Sequence, residues 1–205
     1  MQTCSRKATL RRADVLRRGL GSGVALVASG ATLGALAAPA AAAVPDVDLS
    51  YFRLLTAAEL LKVDFQAKAL ANGELDAQAT RVVRRMRAAD RGHYAGLAAL
   101  LNGGGQTAAT ADDIDFGYPR GSFDSQDAIV KLGWKLGTLT LGAYLGAVLN
   151  VQTPAARLAL AQIAANEAQQ LSALAPFARR PTIGSAFAAA LPIDSVSAAL
   201  DEYES

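Results

Sequence analysis

The only histidine in the 205-residue chain, His93, follows Asp90 by three positions, and Glu167 and Gln170 repeat that spacing far downstream. On a helix, residues at i and i+3 emerge from one face a turn apart. A carboxylate and an imidazole placed this way can both reach a cation lying between helices. Two such pairs are half of the ligand set with which four-helix bundles hold two metal ions. Mixed oxygen and nitrogen donors suit iron, manganese or zinc. No nucleotide-binding glycine loop, serine elbow or strand–helix alternation offers a competing chemistry.

The spacing of apolar residues says what must position these groups. Proline is scarce between Ser50 and Asn102, and the apolar residues recur at helical intervals. A first helix is expected from about Ser50, as its N-cap, to Asn72, where Gly73 follows as a stop. Its core stripe is Tyr51, Leu54, Ala58, Leu61 and Phe65, with Glu59 at the edge. A second helix, from about Asp76 to Leu101, carries the seam Val83, Met86, Asp90, His93, Leu97 and Leu100. A third is expected over 125–149, with Trp134, Gly137, Leu141, Tyr144 and Val148 on one stripe. The fourth begins at Pro154, a residue suited to a first helical turn, and runs to about Phe177. Its seam is Leu160, Ile163, Glu167, Gln170 and Leu174. A short amphipathic helix over 193–203 closes the chain. The long polar stretch from Gly103 to Asp124 fits a bundle with one end-to-end crossing, packed down by Phe116, Tyr118 and Phe123.

The N-terminal 43 residues read as an export signal, with an uncleaved membrane anchor as the alternative, since the apolar run is long enough to span a bilayer. Six basic residues, Arg11-Arg12 among them, precede an apolar run over 20–43 that ends in Ala41-Ala42-Ala43. The paired arginines and the glycine-containing run favour the twin-arginine route, although Asp14 departs from the usual pattern. Removing residues 1–43 takes six of 20 basic residues and one of 18 acidic ones. The remaining 162 residues carry 14 basic and 17 acidic groups, a net of −3. The positive charge of the full chain therefore belongs to the signal, and nucleic acid is not an expected partner. The single cysteine, Cys4, leaves with the signal, so the domain over 44–205 must rest on its core.

Three segments, LTAAELLKVDFQAKAL, AADRGHYAGL and IAANEAQQLSAL, together with the crossover IDFGYPRGSF and the following GAYLGA, carry a likeness. The chain resembles the ferritin-like family, in particular its exported bacterial branch that includes desiccation-related proteins, over most of residues 48–177. The resemblance implies an all-α, ferritin-like four-helix bundle with a long crossover between its second and third helices. It also implies a site in which two helices each give a Glu and two each give a Glu-x-x-His. Carried over residue by residue, Glu59 matches the first-helix carboxylate. Asp90 and His93 match one pair, with Asp for Glu, and Glu167 matches the second Glu, with Gln170 where its His would stand. The third-helix Glu falls near Gly137, where only Thr138 and Thr140 are polar.

Four of six ligands thus remain, and three readings stay open: a hydrogen-bonded knot without metal, one iron, manganese or zinc ion on Glu59, Asp90, His93 and Glu167, or an active di-iron oxidase. Gln170 would be a weak or supporting ligand. Glycines at 133, 137, 142 and 146 weaken an isolated helix by about 1 kcal/mol each, which points to close approach of a neighbouring helix. The arginines at 81, 84, 85, 87 and 91 read as a solvated face, with an anionic envelope surface as the alternative partner. The expected function is a non-catalytic structural, stress-protective or interaction role outside the cytoplasmic membrane, with self-association left open. The competing class is a metal-dependent oxidoreductase or iron-handling protein.

Overall fold

The computed structural model describes residues 43–204. The export-signal reading covers residues 1–43, and all of it but Ala43, Arg11 and Arg12 included, lies outside the described residues. The described residues form five helices: α1 (Asp46–Asn72), α2 (Ala77–Gly103), α3 (Gln126–Asn150), α4 (Pro154–Leu174) and α5 (Ile193–Asp201). Short turns pair α1 with α2 and α3 with α4, and the crossover at 104–125 joins the two hairpins. The fifth helix lies over α1 and α3. No helix among the described residues is long and apolar enough to cross a membrane.

The helix ends follow local chemistry. Asp76 caps α2 by accepting from the N–H groups of Gln78 and Ala79, and Ser125 caps α3 by accepting from Ala128. Gly73 ends α1 in the left-handed conformation, φ 84°. The first helix starts a turn earlier than expected, directly after Pro45, so Ser50 is internal and donates to the Asp46 carbonyl. The early start has a use. It brings Asp48 to a buried position where its carboxylate accepts from the N–H groups of Gln152 and Thr153, 2.7 and 2.9 Å, just before α4.

Every residue of α1 from Leu54 to Lys62 is buried, so this helix is enclosed on all sides rather than along one stripe. Its outer side is covered by the crossover, where Ile114 packs on Ala57 and Leu60. Tyr94 donates to the Ala109 carbonyl and Tyr118 donates to Asp64, which pins the crossover to α2 and α1. Phe65, Tyr118 and Phe123 form a ring cluster with centroids 5.3–6.2 Å apart. A stretch that reads as polar is therefore one wall of the core.

The glycines of α3 divide by neighbour. Gly133 faces Phe65 and Leu174, and Gly137 faces Leu171, so these two admit side chains from α1 and α4. Gly142 and Gly146 face no helix. They receive the extended segment before α5, and Leu191 N–H donates to the Gly142 carbonyl at 2.9 Å. The expectation that all four glycines serve helix–helix approach is corrected for this pair. A Cβ at Gly146 would overlap the Leu191 carbonyl oxygen, which is backbone and cannot swing away. Gly146→Val is expected to lift this strap and cost about 1–3 kcal/mol. Urea denaturation measures the loss, and faster tryptic cleavage after Arg179 locates it.

Candidate metal centre

The helices bring Glu59, Asp90, His93 and Glu167 together at the middle of the bundle. One donor atom from each lies within 4.8 Å of the others. The three carboxylate residues are fully buried and the His93 side chain is 11% exposed. His93 Nδ1 stands 3.2 Å from Glu167, 3.4 Å from Glu59 and 3.6 Å from Asp90. Glu59, read from the sequence as an edge residue, is central.

A residue that the sequence reading passed over stands among them. The Lys62 side chain is 3% exposed, and its Nζ lies 2.5 Å from Glu167 Oε2, 3.1 Å from Asp90 Oδ1 and 3.9 Å from Glu59 Oε2. Lys62 follows Glu59 by three residues, so both leave the same face of α1. Around this centre lies a shell of hydrogen bonds. Gln66 Nε2 donates to Asp90 Oδ2 and Gln170 Nε2 donates to Asp90 Oδ1, both at 2.6 Å. The buried Tyr144 hydroxyl donates to Glu59 Oε1 at 2.5 Å.

The charges interlock. Burial raises the Glu59 and Asp90 carboxyls, only partly opposed by Lys62. Burial also works to raise Glu167, but Lys62 and His93 overcome it and hold its carboxyl below the usual range. Burial disfavours the imidazolium of His93, yet its contacts with Glu167 and Glu59 push it up to about 9. For Lys62 the desolvation cost of burial is exceeded by the three carboxylates, so the ammonium is held charged.

The remaining positions explain what the site is not. Gly137 offers no carboxylate, and a Cβ there would meet Leu171 at 2.9 Å. Thr138 is exposed and Thr140, though buried, donates to its own helix at the Leu136 carbonyl. Gln170 is turned to Asp90. Elsewhere, Asp113 of the acidic crossover accepts from Thr110 N–H and Oγ1, which closes a turn. Of the helix-α2 arginines, four are exposed and the half-buried Arg87 donates to the Val63 carbonyl.

A model of the ferritin-like domain matches residues 47–179. The chain belongs to the ferritin-like family. A comparison with curated proteins gives no match. The family implies a two-metal centre, and the residues present do not fit one. The third-helix carboxylate is missing, a glutamine replaces one histidine, and an ammonium contacts the carboxylates that would bridge two ions. What remains is a carboxylate–histidine cluster whose donors are close enough for one ion.

Proposed function

We propose that this chain is an exported, non-catalytic ferritin-like domain with a structural, stress-protective or interaction role in the cell envelope. The observation that supports the non-catalytic reading most directly is the Lys62 ammonium seated among the carboxylates, with Gln170 donating to Asp90 where a second histidine would stand. Oxygen chemistry on a two-metal centre needs both ions held together by bridging carboxylates, and this bundle spends its carboxylates on Lys62 and His93. Export rests on the sequence alone, through Arg11-Arg12, the apolar run and the small residues before Val44. The helix segments LTAAELLKVDFQAKAL, AADRGHYAGL and IAANEAQQLSAL, with the crossover IDFGYPRGSF and GAYLGA, support placing the chain in the exported, desiccation-related branch of its family.

The test is to supply the purified 44–205 domain anaerobically with ferrous iron, admit oxygen, and follow oxygen uptake. Uptake no faster than in protein-free buffer is expected. Stoichiometric uptake that is lost in Glu167→Ala would instead make the chain an iron oxidase. Cell fractionation with Arg11→Lys/Arg12→Lys tests export separately: the intact chain is expected outside the cytoplasmic membrane and the variant inside.

A further inference from the structure

A buried lysine in a ring of carboxylates has the position of a bound ion. Its Nζ touches Asp90 of α2 and Glu167 of α4, and it is carried on α1 beside Glu59. It therefore ties three helices together from the inside, as a metal ion in this fold would. We propose that Lys62 Nζ is the resident cation of this site: it occupies the ground of a divalent ion, and removing it exposes a single-ion site formed by Glu59, Asp90, His93 and Glu167.

A second observation points to a ligand beyond the acidic cluster itself. Glu59 Oε2 is fully buried and accepts no hydrogen bond, and it lies 3.9 Å from Nζ, too far for one. His93 Nδ1 is likewise buried without an aligned partner, although three carboxylates surround it. The ammonium bonds two carboxylates closely and leaves donor atoms over, all facing one centre. Truncating Lys62 to alanine frees the volume of four side-chain atoms there, between ligands that Gln66, Gln170 and Tyr144 already hold in place. Manganese, cobalt or zinc, with their tolerance for mixed carboxylate and imidazole donors, are the ions this set would take.

The inference rests on the non-catalytic reading but fails separately from it. The experiment titrates Co2+ and Mn2+ into the wild type and Lys62→Ala, following cobalt absorption, metal per chain and melting temperature. The wild type is expected to bind neither ion and to melt unchanged. Lys62→Ala is expected to take one ion per chain, with melting raised by about 5–10 °C at a hundredfold excess over Kd. Adding His93→Ala should abolish that rise. A wild type that takes up one ion overturns the inference, and so does a folded Lys62→Ala that takes none. If Lys62→Ala folds only when a divalent ion is present, the inference stands. If it does not fold at all, Lys62→Gln is titrated in its place, and failure of both to fold or bind in excess Mn2+ counts against the inference. Ion uptake by the wild type without oxygen consumption leaves the non-catalytic reading in place. Oxygen consumption overturns that reading instead.

Discussion

Replacing Lys62 with methionine is expected to destabilise the domain by about 3–5 kcal/mol near neutral pH, the cost of leaving a buried ionic partner uncompensated. The size of the side chain is nearly kept, so the loss reports charge rather than a cavity. Three carboxylates would then face one imidazole, with Glu59 Oε2, Asp90 Oδ1 and Glu167 Oε2 all deprived of their cation. The penalty should shrink in acid. Burial already raises Glu59 and Asp90, and losing the ammonium raises them further, so protons take its place as pH falls. Urea denaturation of both proteins at pH 8 and pH 5 measures this. A gap that is large at pH 8 and much smaller at pH 5 is expected. An equal gap at both values, or one below about 1 kcal/mol at pH 8, would mean that Lys62 contributes packing only.

Much of this arrangement is legible in the residues, and the parts that are not share a cause. The four long helices follow from apolar spacing and from punctuation such as Gly73, Ser125 and Pro154. The convergence of Asp90, His93 and Glu167 follows from polar residues placed on buried seams, and Glu59, at the edge of its stripe, joins them through the family resemblance. Lys62 was legible too. Leu55, Glu59, Lys62, Gln66 and Ala69 are spaced four and three apart, and all five are buried. A lysine is ordinarily a solvent residue, and that expectation hid the seam. Local pattern cannot say which neighbour a residue meets. The pair Gly142 and Gly146 announces a close approach, but only the fold shows that the visitor is the chain's own segment at Leu191. The role of Asp48 is hidden for the same reason, since its partners lie 104 and 105 residues away. The crossover looks polar because its few apolar side chains, Ile114 and Phe116 among them, are spaced irregularly, yet they cover the outer side of α1.

Stability is expected to fall by on the order of 2 kcal/mol as pH rises from about 6.5 to 9, through the linkage of His93. In the folded chain its imidazole is pushed up to about 9 from an ordinary 6.5. The folded state therefore holds this proton more tightly than the unfolded one. The stabilisation is complete below pH 6.5 and is lost as pH climbs through the folded value. Glu59 and Asp90 act in the same direction at lower pH, because their carboxyls are raised on folding and each charge that forms in the cluster opposes the fold. Glu167 acts oppositely. Its carboxyl is lowered, so its contribution is present above its ordinary value of 4.5 and disappears as acid protonates it. Asp48, lowered by the N–H groups of Gln152 and Thr153 despite its burial, adds to the same acid limb. Maximum stability should thus lie on the mildly acidic side of neutrality. Urea unfolding of the wild type and His93→Gln between pH 5 and 9.5 checks the assignment. The variant should be less stable at pH 6 and nearly flat between 6.5 and 9, so that the two curves converge in alkali. Parallel curves would show that the alkaline limb belongs to other groups, and that His93 sits in the cluster uncharged.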